Sequence, residues 1–231
     1  MALQHQYIDF DGESLNHYYL CNYLPLYKGS DDLSKSLIRF KAGSPVDVEA
    51  WTECSILEMN KISLNKGILI LRALSSDEMS TDSTRRTPLD RFATRLANLV
   101  EGTYQPDLLH KTRKTKSVKF LSLVDRIEEL ENVYTFTGQS SFKEILILDD
   151  ILTTGTTMKE IIKAIREVTP SSSITLFTLA STDHQAVINE TISLSGTSYV
   201  WEEEEWKLIA EPEVFYGNLT KLKSQILNDS F

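Results

Sequence analysis

Three largely apolar runs predict strands that are covered on both faces. They occupy residues 68–71, 145–148 and 174–180, and polar or glycine-containing segments bound each run. Apolar runs without strict alternation are typical of the central strands of a parallel sheet. The run at 145–148, Ile-Leu-Ile-Leu, is the clearest strand signal in the chain.

Four further segments carry apolar residues at helical spacing and predict amphipathic helices. They cover residues 48–59, 89–100, 121–130 and 158–168. Pro45 and Asp47 precede the first segment, Gly102 ends the second, and Pro170 stops the last. The succession of strand, helix and strand over 145–180 predicts a right-handed parallel crossover. We therefore expect an α/β fold.

The remaining parts of the chain are less regular. Scattered apolar positions in residues 1–45 predict only short strands and turns, and Leu108 and Leu109 predict the end of a second short strand. A closing helix is predicted after Gly217, with apolar residues spaced over 219–227.

Composition and charge narrow the expected partners. Hydrophobic residues make up 41% of the chain and charged residues 25%, as in ordinary globular proteins. The net charge of −9 argues against sequence-independent binding of nucleic acid, which needs Lys and Arg to neutralise phosphates. Neither a leader segment nor a long apolar window is present, so we expect a cytoplasmic protein without a membrane partner.

The candidate chemistry follows directly after the strongest strand signal. Residues 145–157 read Ile-Leu-Ile-Leu-Asp-Asp-Ile-Leu-Thr-Thr-Gly-Thr-Thr, and a predicted helix comes next. Ligands bind beyond the carboxyl ends of parallel strands, and the N–H groups and dipole at a helix N-terminus favour a phosphate. The adjacent Asp149 and Asp150 would repel each other unless hydroxyls or a cation lie beside them. Ribose hydroxyls and Mg²⁺ both meet that demand.

The motif resembles the phosphoribosyl pyrophosphate loop of the type I phosphoribosyltransferases. The resemblance implies a parallel sheet flanked by helices, with a small hood formed by terminal segments. It also implies that the two acids hold the ribose 2′ and 3′ hydroxyls and that the turn holds the 5′-phosphate. The substrate-binding residues so implied are Asp149, Asp150, Thr153, Thr154, Gly155, Thr156 and Thr157. Asp149 and Asp150 would also hold Mg²⁺.

The same resemblance points to two other segments. The pyrophosphate loop of the family would follow the first core strand, at Arg72 and Ala73, although an arginine that ends a strand is often simply solvated. The flexible loop of the family would lie at residues 111–119, where Lys111, Arg113 and further basic side chains would close over the pyrophosphate and stabilise its charge. The alternative for this basic run is a solvated or disordered surface stretch. The catalytic residues expected on this basis are Asp149, Asp150, Lys111 and Arg113.

The resemblance covers residues 65–181 and is nearest to the competence protein F branch of the family. Segments 86–99, 110–116 and 126–136 carry that finer likeness. Members of the branch usually begin with a four-cysteine zinc ribbon, which this chain cannot form because it contains only two cysteines. We therefore expect residues 1–60 to form an N-terminal extension or hood, residues 61–182 to form the core, and residues 183–231 to pack on that core.

The activity implied by the family is Mg²⁺-dependent transfer of a phosphoribosyl group to or from a nitrogenous base. The bound partner would be phosphoribosyl pyrophosphate or a nucleoside monophosphate, and a homodimer is one expected assembly. Two alternatives remain open. A non-catalytic regulatory protein would bind the same ligand without turnover, whereas an assembly protein would use the fold as a scaffold and bind no ligand.

Overall fold

The computed structural model describes residues 2–24, 31–81, 86–116, 123–182, 199–202 and 205–208. The strands are β1 (Gln4–Phe10), β2 (Glu13–Asn22), β3 (Leu69–Arg72), β4 (Thr103–Tyr104), β5 (Leu109–Lys111), β6 (Tyr134–Phe136), β7 (Glu144–Leu152), β8 (Ser173–Ser181), β9 (Tyr199–Glu202) and β10 (Glu205–Leu208). The helices are α1 (Asp32–Lys41), α2 (Pro45–Met59), α3 (Pro88–Leu99), α4 (Leu123–Leu130) and α5 (Thr156–Val168), and a 3₁₀ turn covers Pro106–Leu108.

Six strands form one sheet in the order β1-β2-β8-β7-β3-β4. Strands β2, β8, β7, β3 and β4 run parallel, whereas β1 pairs with β2 in the antiparallel sense. Strands β5 and β6 form a separate antiparallel pair, and so do β9 and β10. The expected α/β fold with a mostly parallel sheet flanked by helices is confirmed.

The two faces of the sheet are covered by different helices. On one face, α1, α2 and α3 pack over Leu146 and Leu148 of β7. On the other face, α5 packs over Ile145 and Ile147. Successive side chains of a strand point to opposite faces. Over residues 145–148 of β7, even-numbered side chains therefore face α1–α3 and odd-numbered side chains face α5. The alternation breaks at the end of the strand, where Ile151 packs on the α1–α3 side and Leu152 on the α5 side.

Most elements with a strong apolar pattern lie where they were predicted. The helices predicted at 48–59, 89–100 and 158–168 are confirmed as α2, α3 and α5, and the strands predicted at 68–71, 145–148 and 174–180 are confirmed as β3, β7 and β8. Strands β7 and β8 are adjacent and parallel, as the strand-helix-strand pattern predicted. Helix α4 begins at Leu123 within the segment predicted at 121–130.

Residues 1–45 contain more regular structure than was predicted. Strand β2 lies between β1 and β8 in the main sheet, so part of this segment belongs to the sheet. The hood expected of the terminal segments stays a prediction. Helix α1 was missed. It begins at an N-cap, Asp31, whose side chain accepts a hydrogen bond of 2.8 Å from the backbone N–H of Ser34. The division of the chain at residues 60 and 182 stays a prediction.

The second short strand was predicted at the wrong place. Residues Thr103–Tyr104 form β4, and the chain then turns at Pro106, which has no N–H to donate to a strand ladder. Leu108 belongs to the 3₁₀ turn, and Leu109 begins β5. The closing helix predicted at 219–227 lies outside the described residues. Within the part of the chain that the structure describes, no helix has the length and apolar character needed to cross a membrane.

Candidate functional site

The strand before the predicted phosphate-binding turn extends further than was predicted. Strand β7 includes both acids and ends at Leu152, and α5 begins at Thr156. The extension follows from the neighbouring strand, because β7 stays paired with β8 as far as Leu152 and Ser181. The connecting turn is therefore residues 153–155, which is shorter than the predicted loop of 149–157.

A cavity opens at this turn, at the carboxyl end of β7. Its lining includes the predicted phosphate residues Thr153, Thr154, Gly155, Thr156 and Thr157. Asp149 from β7 and Arg126 from α4 line the same cavity. The structure thus brings one of the two acids together with the whole Thr-Thr-Gly-Thr-Thr run.

The N-terminus of α5 has the properties of an anion site. Gly155 is its N-cap and has φ +77°, a left-handed conformation in which a glycine is favoured. No side chain of the described residues caps the helix, and its first turn contains no acidic residue. The first backbone N–H groups of a helix have no intrahelical acceptor, so they and the helix dipole favour a bound anion. The hydroxyls of Thr154 and Thr156 lie 3.0 Å apart beside these groups.

The β1–β2 hairpin packs against this turn from the other side. A Cβ atom placed on Gly155 would lie 3.0 Å from Cε1 of Phe10, so the phenyl ring closes the space behind the glycine. Lys159 of α5 donates a hydrogen bond of 2.7 Å to Asp11 at the tip of the hairpin. The N-terminal segment therefore supports the turn, which sequence reasoning did not predict.

The two acids of the motif point to opposite faces of the sheet. Asp149 is odd-numbered and faces α5 and the cavity, whereas Asp150 faces α1 and forms an ion pair with Lys41 at the end of that helix. One oxygen of each carboxylate accepts a hydrogen bond from the next backbone N–H, at 2.8 Å for Asp149 and 2.9 Å for Asp150. The predicted joint grip of both acids on one diol stays a prediction.

Burial and the neighbouring acid make the carboxyl group of Asp149 costly to ionise. Burial, followed by the charge of Asp150, raises the pKa of Asp149. Burial also lowers the pKa of Lys41, but the carboxylates of Asp150 and Asp149 outweigh that effect, and the net shift is upward. Lys41 is therefore held as a cation beside the pair. Nothing in the sequence near residue 41 indicated this contact.

Arg72 is buried at the end of β3, where it forms ion pairs within the protein. Its side chain is 2% exposed. It donates to Asp90 at 2.6 Å, to Glu78 at 2.8 and 2.9 Å, and to the carbonyl of Ala73 at 3.1 Å. The pKa of Arg72 is raised because these partners outweigh its burial. In this arrangement the guanidinium is not a solvated strand end, and its predicted contact with pyrophosphate stays a prediction.

Glu78 links Arg72 to the segment after β3, because its carboxylate contacts both. The carboxylate of Glu78 accepts a hydrogen bond of 2.7 Å from the backbone N–H of Ser75. Burial raises the pKa of Glu78, but the hydrogen bonds from Arg72 and Ser75 lower it further, so the group stays ionised. The turn over residues 73–78, which contains the predicted Ala73, is thus held by a buried ion pair.

Lys111 lies on β5 and not in a mobile loop, and it is buried. Its ammonium donates a hydrogen bond of 2.7 Å to the carbonyl of Ser75 and lies 5.4 Å from the centre of the Tyr134 ring. Burial lowers the pKa of Lys111 to about 8, against the opposing charges of Glu78, Asp77 and Asp149. The predicted flexible loop of 111–119 therefore begins with a fixed lysine, while residues 117–119 lie outside the described residues.

Arg113 is paired with Glu129 of α4 and is not among the residues that line the cavity. It donates to the carboxylate of Glu129 on α4 at 3.0 Å and to the backbone carbonyl of the same residue at 2.7 Å. The structure therefore places Lys111 near Asp149 but does not bring Arg113 to either acid. Its predicted catalytic role stays a prediction.

The carboxylates near the cavity are few for a metal site built from protein ligands alone. Within the described residues, no group of three or more His, Cys, Asp and Glu side chains could hold a metal ion. Mg²⁺ usually keeps several waters and is bound through one or two carboxylates together with the phosphates of a substrate. Asp149 presents one carboxylate in the cavity where a phosphate would bind. The residues present therefore fit an Mg²⁺ ion that arrives with a phosphorylated ligand.

The match to a protein-family model agrees with this fold. The family model described as "Phosphoribosyl transferase domain" matches residues 91–209, which is just over half of the chain. Among solved structures, the chain is similar to adenine phosphoribosyltransferase from Saccharomyces cerevisiae complexed with an imino-altritol bisphosphate and adenine, with 14% identity and a TM-score of 0.31. The alignment covers 79% of this chain and 85% of the yeast chain. No curated protein sequence matches.

Proposed function

This chain belongs to the phosphoribosyl transferase domain family, and on that premise we propose that it binds phosphoribosyl pyrophosphate with Mg²⁺ and transfers the phosphoribosyl group to or from a nitrogenous base. One observation carries the proposal. The uncapped N-terminus of α5 and the carboxylate of Asp149 line the same cavity at the carboxyl end of a central parallel strand.

The turn and the first residues of α5 would bind the 5′-phosphate. Thr153, Thr154, Gly155, Thr156 and Thr157 supply backbone N–H groups, and four of them also supply hydroxyls. Because Gly155 has no side chain, a phosphate oxygen can approach the backbone closely there.

The acids would hold the sugar that this phosphate carries. Asp149 would accept hydrogen bonds from a ribose hydroxyl inside the cavity, and Mg²⁺ bound with the substrate would neutralise charge on the departing pyrophosphate. Asp150 would contribute mainly by fixing the end of β7, because its carboxylate already accepts from Ile151 and pairs with Lys41. Transfer from an oxocarbenium-like state needs positioning and charge stabilisation and no protein nucleophile.

The turn after β3, over residues 73–78, would contact the pyrophosphate. Arg72 would act as a positioning residue, because its ion pair with Glu78 fixes the turn that starts at Ala73. Lys111 would hold the same turn through the carbonyl of Ser75 and would supply positive charge near Asp149. Arg113 would have to leave Glu129 to take part.

The finer expectations belong to the same proposal. We place the chain nearest to the competence protein F branch, on the likeness of segments 86–99, 110–116 and 126–136. The terminal segments 1–60 and 183–231 would form the acceptor-base side of the site around a core of 61–182. A cytoplasmic location and assembly as a homodimer complete this proposal.

The deciding experiment measures pyrophosphate release. The full chain is incubated with phosphoribosyl pyrophosphate, Mg²⁺ and a panel of nitrogenous bases. We expect release with at least one base, and loss of release in Asp149→Asn and Asp150→Asn proteins. Asp107→Asn, which removes the same charge from an exposed position on the 3₁₀ turn, should retain activity. Full activity in the double Asp149/Asp150 variant would refute the assignment.

Calorimetry with phosphoribosyl pyrophosphate separates the alternatives if no base supports turnover. Binding without release of pyrophosphate would identify a regulatory protein that uses the same site. The absence of binding would leave the fold as a scaffold and would reject the proposed site.

A further inference from the structure

Helix α1 brings a lysine to the acid pair from a distant part of the sequence. Lys41 lies in the last turn of α1, and its ammonium forms an ion pair with Oδ2 of Asp150. The carboxylate is 12% exposed, whereas the lysine side chain is 51% exposed. The pair therefore joins a nearly buried acid to a cation that reaches it from the surface.

This contact completes the bonding of Asp150. Its Oδ1 accepts a hydrogen bond of 2.9 Å from the backbone N–H of Ile151, and its Oδ2 is paired with Lys41. Asp149, the other acid, contributes to the field that raises the pKa of Lys41. One ammonium group thus pairs with Asp150 and also lies within the electrostatic field of Asp149.

We propose that Lys41 is the resident cation of the acid pair and keeps divalent metal ions off Asp150 while no ligand is bound. This inference rests on the proposed function in treating Asp149 and Asp150 as the ligand-binding acids. A divalent ion would then bind only together with a phosphorylated ligand, on the Asp149 side of the sheet.

The reason is electrostatic competition. An ammonium group and a divalent ion cannot both lie against the same carboxylate oxygen, because like charges repel strongly where water is partly excluded. Removing the lysine charge leaves Oδ2 of Asp150 without its cation, while the charge of Asp149 still acts on it from the other face of the sheet. A carboxylate that has lost its counter-charge favours binding of another cation.

Ligand-free protein tests the proposal, with Mn²⁺ as the probe. Free Mn²⁺ is followed by its paramagnetic resonance signal during titration of the full-length chain without phosphoribosyl pyrophosphate. The Lys41→Gln protein should bind Mn²⁺ at least about tenfold more tightly than the wild type, which corresponds to 1.4 kcal/mol. Lys41→Arg keeps the charge and should behave like the wild type.

Two matched variants separate this effect from net charge. Lys35→Gln removes a lysine from the same helix, about 9 Å further along its axis, and should leave Mn²⁺ binding unchanged. Asp150→Asn added to Lys41→Gln should abolish the gained binding. Circular dichroism confirms that each variant is folded, and Lys41→Met replaces Lys41→Gln in the same titration if the latter does not fold.

Three results would overturn the proposal. They are tight Mn²⁺ binding by the ligand-free wild type, no gain on removal of the Lys41 charge, and an equal gain in Lys35→Gln. Because no ligand is present, each result is independent of whether the protein turns over phosphoribosyl pyrophosphate.

Discussion

Replacing Gly155 with alanine tests whether the turn before α5 is an anion site. The residue has φ +77°, and a left-handed conformation costs an L-residue about 1–2 kcal/mol. The new Cβ would also lie 3.0 Å from Cε1 and 3.3 Å from Cζ of Phe10, so the phenyl ring would have to move by a few tenths of an ångström. We expect a loss in free energy of unfolding of about 1–2 kcal/mol and a displaced set of backbone N–H groups.

The matched control is Gly67→Ala. Gly67 has φ +81°, no atom of the part of the chain that the structure describes lies within 4 Å of the position of its Cβ, and it precedes β3 at the opposite end of the sheet. Urea denaturation should show a similar loss of stability in both variants. Calorimetry with phosphoribosyl pyrophosphate should show at least about tenfold weaker binding for Gly155→Ala only, equivalent to about 1.4 kcal/mol. Equal affinity in both variants would show that the turn does not hold the phosphate.

Three further substitutions have consequences that follow from burial and charge. Asp149→Asn should raise the free energy of unfolding while abolishing ligand binding. Because the pKa of Asp149 is raised in the folded protein, ionisation of Asp149 opposes folding above pH about 4. Urea denaturation at a series of pH values should show that the stability gained by the variant vanishes below pH about 4. Arg72→Met should lower the free energy of unfolding by about 3–5 kcal/mol, because it leaves the carboxylates of Glu78 and Asp90 without their buried partner, and a loss below about 1 kcal/mol in chemical denaturation would contradict this. The pKa of Lys111 is about 8 in the folded protein and about 10.4 in the unfolded chain, so at pH values between about 8 and about 10.4 the unfolded chain binds more protons. The wild type should therefore gain stability relative to Lys111→Met as the pH rises from about 8 to about 10.

The local pattern around β7 and α5 could be predicted because each signal lies within a few residues of its effect. Four apolar residues mark a central strand, and the glycine marks the start of the following helix. The opposite orientation of Asp149 and Asp150 also follows from the two-residue period of a strand. It was missed because both acids were assigned to the loop, and only the pairing of β7 with β8 shows that the strand continues to Leu152.

Contacts between segments that are distant in the sequence could not be predicted from local patterns. Arg72 looked like a solvated strand end because its partners, Glu78 and Asp90, lie in a polar segment and on the next helix. The signal for α1 was present, since Asp31 is a good N-cap and Leu33 and Leu37 are four residues apart on one buried face. No sequence pattern indicates that the last turn of this helix meets Asp150, because that contact depends on how helices pack across the sheet.

These distant contacts reach the proposed phosphate site from outside the matched family domain. The turn and the acids lie within the matched family domain, but Phe10, Lys41 and Arg72 all precede it. Phe10 supports the glycine turn, Lys41 balances the acid pair, and Arg72 shapes the segment expected to meet pyrophosphate. Strand β2 also pairs along β8 over most of its length, so removing residues 1–60 would expose the edge of β8 together with the buried face under α1 and α2. We therefore expect that residues 61–182 alone would reproduce neither the complete sheet nor the charge balance of the proposed site.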